Sequence, residues 1–476
     1  MAEKSPNKSD FIVNMTKPQF NKLCGIFFIA ASILYFVVQA VYYITKDVVV
    51  GKDLEGANLY ATAYTLPLQF TVIIITGFLA ALPFVIAALK KYITKAHLKA
   101  LIIPLLFTAL SVIACLLAYN PDYAMYGQVG RYDGVVAQLA FFLMIAGAMM
   151  MTSVGWMKKI SYTIIIIGTL NSVIGIFQTV TPLKDIIPSF YAKLRFGFSS
   201  EYAANGFTSS PYFLCGIVAI SLALTFSIFL YEKSKKIKVM LAASILVQVF
   251  ALSMTRVLTG ILAIIAAFVP VIVVEIVRLA KKHTYINGKK LENPIFVALA
   301  SAAVAACVAV AGVFLSGGLI DRAVAVEDGM QRLFVSGAES VGNSQQFYLE
   351  AWEESLVAIK DKPILGVGGD CYAEYIYGSQ PSAVTGSFDR PYNDYIYYAA
   401  SKGIPCAVIY TAFIVMIFIK TAKRAKGFYN NTEGITQLSL GLAAVAYSVT
   451  MIIGISSISC APFFFITAGL LFADGE

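Results

Sequence analysis

Residues 23–44 read LCGIFFIAASILYFVVQAVYYI, and this stretch decides the fold class of the chain. It carries no charged residue and is long enough to cross a membrane, which takes about 20 mainly apolar residues in a helix. It is too long for the apolar region of a secretory signal peptide and lacks the small-residue cleavage site of one. We therefore expect a retained membrane-spanning helix.

Further apolar runs of similar length follow this first one. They lie near residues 64–89, 99–118, 134–153, 160–180, 211–230, 238–254, 257–277, 295–315, 395–419, 436–454 and 457–473. The composition agrees, since 59% of the residues are hydrophobic and 13% are charged, whereas about a quarter are charged in a soluble domain. The sequence predicts an all-α, polytopic integral membrane protein with about twelve transmembrane helices.

The predicted spans divide the chain into four segments. Residues 1–21 form a cytoplasmic N-terminal segment, and residues 22–315 hold helices one to nine. Residues 316–394 form a single large extracytoplasmic loop between helices nine and ten, and residues 395–473 hold helices ten to twelve. We expect this loop to carry binding or catalysis, because it is the only long hydrophilic stretch between spans.

Lysine and arginine are enriched in cytoplasmic loops of membrane proteins, so their distribution predicts the orientation. With the N-terminus placed inside, the inner segments hold nearly two thirds of the basic residues but under a third of the acidic ones. We therefore expect a multi-pass protein of the cell membrane with both termini in the cytoplasm. The net charge of +9 follows from this bias, so nucleic acid is not an expected partner.

Arginine departs from this bias. Six of the eight arginines fall in predicted outer segments: Arg131, Arg195, Arg256, Arg322, Arg332 and Arg390. A guanidinium group grips phosphate through two parallel hydrogen bonds, whereas a lysine ammonium acts as a point charge. The pattern favours an anionic phosphate ligand at the outer surface. The plainer alternative is that these arginines pair with nearby acidic residues or anchor the ends of spans. This alternative is weakest for Arg256, because few carboxylates lie near its tight hairpin in the sequence.

Three patterned segments follow one another in the large loop. Residues 347–359 have helical apolar spacing, and the predicted helix stops before Pro363. Gly366 and Gly368 form a glycine-rich turn where the backbone can approach a ligand closely, although a plain turn has the same composition. Residues 387–395, SFDRPYNDY, lead into the tenth span. An aromatic belt at the membrane surface would explain the tyrosines but not the paired aspartates.

Together these segments resemble the O-antigen ligase and O-antigen polymerase family of bacterial envelope glycosyltransferases. Residues 206–212, GFTSSPY, resemble the family's small-polar-proline entry to a span, and residues 253–256, SMTR, its Thr/Ser–Ser–Arg hairpin. Trp352 with residues 361–368, DKPILGVG, is similar to its W…(D)xPxxGxG pattern. Residues 389–395, DRPYNDY, are similar to its D-K-x-H-N-E-Y segment. The resemblance covers nearly the whole chain, because the spans and the large loop come in the same order.

Two positions depart from the family pattern. The histidine that precedes asparagine in the family is Tyr392 here, and a tyrosine, with an ordinary pKa of about 10, is a poor general base. The arginine that the family carries just before the tryptophan is absent from residues 344–348, SQQFY, and Arg332 upstream is its candidate substitute. The identity of the general base therefore stays open.

The resemblance implies glycan transfer from an undecaprenyl-diphosphate carrier to a sugar hydroxyl, as in polymerisation or ligation. Arginines would stabilise the charge that develops on the diphosphate as the glycosidic bond breaks. The expected clamp is Arg256, Arg332 and Arg390, with Arg131 and Arg195 as helpers. By elimination, Asp394 or Asp389 would activate the acceptor. Tyr392 and Asn393 would orient the sugar, and Gly366 and Gly368 would line the site.

The expected partners are the lipid-linked glycan donor, the glycan acceptor and membrane lipid, with room for other polysaccharide-assembly proteins. No cofactor and no metal are expected, since neither the two histidines nor the cysteines have the spacing of metal ligands. Two alternatives stay open. One is a flippase for lipid-linked oligosaccharides, for which Lys402 inside the tenth predicted span would be an intramembrane charge. The other is a catalytically inactive relative that has lost the histidine.

Overall fold

A computed structural model describes residues 14–45, 49–52, 58–60, 62–128, 131–179, 203–208, 210–280, 285–286, 289–290, 294–315, 344–378, 389–428 and 434–473. Within these ranges the chain is helical apart from two short antiparallel hairpins, β1 with β2 and β3 with β4. This confirms the predicted all-α class. Arg195 and Arg332 lie outside the described residues.

The elements follow one another in this order: α1 Lys17–Thr45, β1 Val49–Lys52, β2 Asn58–Tyr60, α2 Thr62–Leu79, α3 Ala81–Leu89, α4 Lys95–Leu116, α5 Pro121–Tyr126, α6 Val135–Met149, α7 Val154–Thr179, α8 Pro211–Tyr231, α9 Lys235–Ser253, α10 Leu258–Ala280, β3 Tyr285–Ile286, β4 Lys289–Lys290, α11 Pro294–Leu315, α12 Ser344–Asp361, α13 Tyr372–Tyr377, α14 Asp394–Lys402, α15 Ile404–Phe428, α16 Ile435–Thr450 and α17 Ala461–Phe472.

The apolar helices match the predicted runs. Eight helical stretches are long and apolar enough to cross a membrane, and four shorter apolar helices accompany them. Residues on the outward faces of these helices are themselves apolar, as in α4, where Ile102 and Leu105 are each 52% exposed. An apolar outward face suits lipid, which cannot solvate polar groups. The chain is therefore a polytopic α-helical membrane protein.

Helix α8 forms the centre of the bundle. It packs against α7, α9, α10 and α16, and 94% of its most apolar window is buried inside the protein. Small polar side chains on α8 bond within the bundle: Ser221 contacts the Ile165 carbonyl, and Thr225 accepts a hydrogen bond from Gln248. Such interhelical bonds help to hold helices together where all surroundings are apolar.

The large hydrophilic stretch contains a helix, as predicted. The sequence indicated a helix over residues 347–359 that ends before Pro363, and α12 spans Ser344–Asp361. A second, shorter helix, α13, follows the glycine-rich turn. Helix α12 packs against both α13 and α14, so this part of the stretch is folded onto the bundle.

The predicted tenth span, residues 395–419, is wrong at its start. The chain breaks at Gly403, which has φ +87°, and the span begins at Ile404. The reason is tertiary: the Ile364 carbonyl lies so close to the Gly403 Cα that no Cβ would fit. Lys402 consequently ends the short helix α14 instead of lying within one continuous span helix.

Replacing Gly403 with alanine should lower the melting temperature in detergent strongly. A left-handed backbone costs a non-glycine residue about 1–2 kcal/mol, and overpacking against Ile364 adds about 1–3 kcal/mol. Gly427→Ala is the matched control, because Gly427 lies in α15 with open space around its Cα and alanine is the better helix former. Equal melting temperatures for the two variants would contradict this account of the break.

The connections that the sequence places outside meet at one end of the bundle. Residues 451–460, between α16 and α17, form a loop that touches several of them. Its Ile453 carbonyl accepts a hydrogen bond from Thr259 at the start of α10, and its Ser456 contacts both Arg390 and Asp394. The α9–α10 turn and the segment before α14 are therefore attached to the same loop.

Candidate functional site: a buried charge cluster

The start of α14 fixes the segment that the sequence singled out. Asn393 caps the helix, and its Oδ1 accepts hydrogen bonds from the Tyr395 and Ile396 amides at 2.9 and 3.0 Å. An asparagine is among the best N-cap residues because its side chain satisfies amides that lack helical partners. The Asn393 oxygen is therefore engaged in the cap, and its predicted contact with sugar stays a prediction.

Arg390 lies inside the protein, with 1% of its surface exposed. One terminal nitrogen donates to Asp370 Oδ1 at 2.5 Å; the other donates to the Ser456 carbonyl at 2.9 Å and lies 3.6 Å from Asp133 Oδ2. Its guanidinium carbon is 4.7 Å from the centre of the Tyr397 ring. Arg390 is thus not presented to a ligand in this conformation, and it joins four separate parts of the chain.

Asp370 is the principal partner of Arg390, and sequence reasoning did not select it. Its Oδ2 accepts the backbone amides of Gln128 and Asp133 at 3.0 and 3.1 Å. Burial raises the pKa of this carboxyl, but Arg390 and Arg131 outweigh burial and hold it below its usual range. Asp370 has φ +57°, an uncommon conformation for an aspartate that directs its side chain into the cluster. The preceding glycines were the only local signal.

Asp133, just before α6, is the second buried carboxylate that the sequence did not reveal. Gln138 donates to its Oδ1 at 2.7 Å, and its Oδ2 has no hydrogen-bond partner within the described ranges. Burial raises the pKa of Asp133, while the positive charges of Lys402 and Arg390 oppose that rise. A buried carboxylate is tolerated only near such compensating charge.

Lys402 ends α14 with 2% of its surface exposed. Its ammonium lies 4.8 Å from the centre of the Tyr398 ring and 5.4 Å from that of Phe107. No hydrogen bond from its Nζ is found in the part of the chain that the structure describes. Ring faces stabilise a cation, but a buried lysine also needs negative charge nearby, and Asp133 supplies it.

Asp394 is the residue of the cluster best suited to proton transfer. It is 1% exposed; its Oδ1 accepts the Ser456 amide at 2.9 Å, and its Oδ2 has no hydrogen-bond partner among the described residues. Burial raises the pKa of Asp394 to about 7, with Asp133 adding to the rise and Arg390 and Lys402 opposing it. A general acid or base works best when its pKa is close to the working pH.

A salt bridge between Arg131 and Asp389 forms the accessible edge of the cluster. Their side chains meet at 2.8 Å and are 14% and 48% exposed, respectively. Arg131 Nε also lies 3.8 Å from Asp370 Oδ1, so the surface pair continues into the buried charges. Arg131 and Asp389 are therefore the predicted site residues that a soluble ligand reaches first among these charges.

Tyr392 belongs to a group of three tyrosines beside this pair. Its ring centre lies 4.9 Å from that of Tyr212 and 6.1 Å from that of Tyr348. The hydroxyls of Tyr212 and Tyr348 are 3.1 Å apart. Burial and the neighbouring Asp389 raise the pKa of Tyr392, which makes it a still poorer base than an exposed tyrosine. A sugar-binding role for its ring is compatible with this placement.

Arg256 sits in the turn between α9 and α10, as the sequence predicted. It is half-buried and has φ +59°, the left-handed region that favours glycine. The turn is held from both sides: the Met254 carbonyl accepts the Ala204 amide at 3.1 Å, and Thr259 binds the Ile453 carbonyl. This conformation is uncommon for a non-glycine residue, and among the described residues Lys91, Tyr132, Asp370 and Tyr392 share it.

The glycine-rich turn packs against the end of α14. The Val367 and Gly368 amides donate to the carbonyls of Ala400 and Ser401 at 3.0 and 2.8 Å, and the Gly366 amide donates to Lys362. Gly366 and Gly368 have φ +66° and +109°. These amides are bonded within the protein, so packing accounts for both glycines, and their predicted contact with substrate is untested.

The fold and the cluster define a class: polytopic helical membrane proteins with a buried set of charges at one end of the bundle. Residues 243–411 match the family model described as O-Antigen ligase. This match begins within α9, ends within α15 and contains Arg256, Arg390 and Asp394. Over this stretch the chain is similar to the O-antigen ligase family. No curated protein matches the chain.

Proposed function

We propose that this protein transfers a glycan from a polyprenyl-diphosphate carrier to a sugar hydroxyl at the outer face of the cell membrane. The family match supports membrane glycan assembly. The observation that carries the finer proposal is the cluster itself. It joins an accessible arginine–aspartate pair to a buried carboxylate, Asp394, whose pKa of about 7 suits proton transfer. The enrichment of lysine in the opposite connections supports the outer orientation.

The transfer is a displacement at the anomeric carbon of the donor sugar. The acceptor oxygen forms a bond to that carbon, and the bond from the carbon to the diphosphate oxygen breaks. The bonding electrons leave with the diphosphate. The acceptor's hydroxyl proton passes to Asp394 in a conformation that opens the cluster, because Asp394 is as deeply buried as Arg390 in this one. Arg256 and Arg131 stabilise the charge that develops on the diphosphate. Arg390 acts from inside by holding Asp370 and Asp133 in place.

A narrow apolar crevice lies next to the cluster, between α4, α6, α15 and α17. It is lined by Pro104, Phe107, Thr108, Gln138, Phe141, Phe142, Ile145, Tyr410, Phe413 and Phe465. Phe107 also contacts Lys402, and Gln138 also contacts Asp133. The crevice is too small to enclose a polyprenyl chain in this conformation, but it places apolar side chains directly beside the charged groups, as a lipid-linked donor requires.

The direct test uses purified protein in lipid nanodiscs or vesicles with a labelled lipid-linked oligosaccharide. Formation of longer or transferred glycan supports the proposal. Movement of the labelled lipid across the vesicle membrane without a new glycosidic bond would show a flippase instead. Neither activity, in protein that is folded by its melting curve, would identify an inactive relative.

The rate of transfer should fall in acid, with a midpoint near pH 7. Asp394 accepts a proton only when it is ionised, and protonation through its pKa of about 7 removes that form as the pH falls. Below the midpoint we expect kcat/KM to drop about tenfold per pH unit. Measuring kcat/KM from about pH 5 to about pH 9 checks this.

Two variants distinguish the candidate carboxylates. Asp394→Asn should abolish most of the activity and also the fall of kcat/KM at low pH, which we call the acid limb. Asp389→Asn should lower the activity but leave the acid limb in place. A wild-type rate for Asp394→Asn, or a flat profile for the unmodified protein, would exclude Asp394 as the base.

A further inference from the structure

We propose that Lys402 and Asp133 are positioning residues for Asp394: two oppositely charged, buried side chains from separate elements that set the proton affinity of its carboxylate. The proposal rests on the proposed function for its catalytic meaning. Its structural part, which concerns the charges around one carboxyl group, is testable without activity.

Lys402 is placed by the break in the chain after α14. Gly366 packs so closely against the Lys402 amide and the Ser401 carbonyl carbon that only glycine fits there, and Gly403 ends the helix. The lysine side chain then turns inward between the rings of Phe107 and Tyr398. An ammonium so deeply buried costs free energy unless it meets negative charge, which gives it a reason to face the carboxylates.

Asp133 approaches from the segment before α6. Gln138 fixes one of its oxygens, and Arg390 lies 3.6 Å from the other. Its backbone amide is bonded to Asp370, which holds the segment against the cluster. Asp133 is therefore immobilised by three separate contacts, although its charge alone would be unfavourable beside another carboxylate.

Charged and titratable groups face Asp394 from every element packed around it. They are Asp133 before α6, Arg390 in the segment before α14, Tyr395, Tyr398 and Lys402 on α14, Tyr410 on α15, Tyr447 on α16 and Cys460 in the 451–460 loop. Arg390 is committed to Asp370 at 2.5 Å. Lys402 lies two helical turns after Asp394 on α14, with Tyr398 one turn from each. Asp133 is linked to Asp394 through Arg390 and Ser456, since Arg390 donates to the Ser456 carbonyl and the Ser456 amide donates to Asp394 Oδ1. Lys402 and Asp133 therefore act on Asp394 in opposite directions.

The two substitutions therefore have opposite signs. A nearby cation favours the ionised carboxylate, so Lys402→Met should raise the pKa of Asp394. A nearby anion disfavours it, so Asp133→Asn should lower the pKa of Asp394. Each midpoint should move by about one pH unit, a shift that a neighbouring buried charge commonly produces. Lys402→Arg keeps the charge and should leave the midpoint close to its original value.

The first experiment is an infrared titration of the purified protein. The band of the protonated Asp394 carboxyl is identified by its loss in Asp394→Asn and followed with pH in each variant. Lys362→Met is the matched control, since Lys362 is exposed and solvent screens its charge. Opposite displacements for Lys402→Met and Asp133→Asn support the proposal. Unmoved midpoints, or displacements of the same sign, would overturn it.

The second experiment repeats the pH dependence of kcat/KM in the same variants. The acid limb should move with the infrared midpoint. If the infrared midpoint moves but kcat/KM shows no fall in acid, Lys402 and Asp133 do set the proton affinity of Asp394, and its assignment as the base fails. If kcat/KM falls in acid at the same pH in every variant, Lys402 and Asp133 do not set the proton affinity of Asp394, while the proposed function stands. Should Lys402→Met not fold, Lys402→Gln takes its place, and its midpoint must still move in the direction opposite to that of Asp133→Asn.

Discussion

Replacing Arg256 with alanine should lower glycan transfer by about 100-fold or more while the protein remains folded. This size is typical when one preplaced group that stabilises charge in the transition state is removed. Arg256 lies in a short turn tied to the 451–460 loop, which also holds Arg390 and Asp394. Its guanidinium is thereby kept close to the end of the bundle where the diphosphate would bind.

Arg256→Gly separates function from stability more sharply than alanine does. The left-handed backbone at this residue costs a side-chain-bearing residue about 1–2 kcal/mol, which glycine does not incur. We therefore expect the glycine variant to melt at the same temperature as the unmodified protein or higher, yet to transfer no more glycan than the alanine variant. Higher stability with lower activity is typical of a residue retained for function.

The matched control for Arg256 is Arg424→Ala. Arg424 lies near the far end of α15, about 30 Å along the helix from Ile404 at a rise of about 1.5 Å per residue. It donates to the Ala473 carbonyl there, so its loss should leave transfer nearly unchanged. Transfer is measured with the labelled lipid-linked oligosaccharide at equal amounts of folded protein. Normal transfer by both Arg256 variants would refute the role of Arg256 in binding the diphosphate.

Replacing Arg390 with alanine should destabilise the protein by about 3–5 kcal/mol, in contrast to Arg256. Removing one member of a buried ion pair leaves an uncompensated charge inside the protein, which costs this much. Here two carboxylates, Asp370 and Asp133, would lose their shared partner. The melting temperature in a fixed detergent is the measurement, and activity should fall because the cluster is disordered.

A double variant checks that the cost comes from the exposed charge. Arg390→Ala with Asp370→Asn should be less destabilised than Arg390→Ala alone, since the orphaned carboxylate is now neutral. Lys158→Ala is the control for an exposed ion pair, because the Lys158 side chain is 46% exposed beside Glu232 and such pairs contribute at most about 1 kcal/mol. An Arg390→Ala protein that melts like Lys158→Ala would show that the buried network is not what stabilises this end of the bundle.

Much of the fold was accessible from the sequence. The apolar run at residues 23–44 and those after it predicted the helices. Within the described residues the structure shows eight long and four shorter apolar helices in the predicted order, the tenth of them beginning at Ile404 instead of residue 395. The helix over 347–359, the hairpin at Arg256 and the family were also predicted correctly. These features depend on composition and spacing over short stretches, which determine helix formation and membrane insertion locally.

The cluster was accessible only in part. Asp389, Arg390 and Asp394 were selected because they crowd one segment. Asp133 and Asp370 were not selected, and Lys402 was noted only as an intramembrane charge. Asp133 and Asp370 lie far apart in the chain, and neither belongs to a motif. Their role appears only when α6, α14 and the glycine-rich turn pack together.

What the sequence by itself determined is the membrane-spanning architecture, because the lack of hydrogen-bonding partners in lipid forces each long apolar stretch into a helix. Tertiary structure alone decided which charges are buried, which of them pair, and where the chain breaks at Gly403. Proton affinity and ion pairing depend on the distance between groups from separate elements and on their removal from water. Neither quantity is a property of any local stretch of residues.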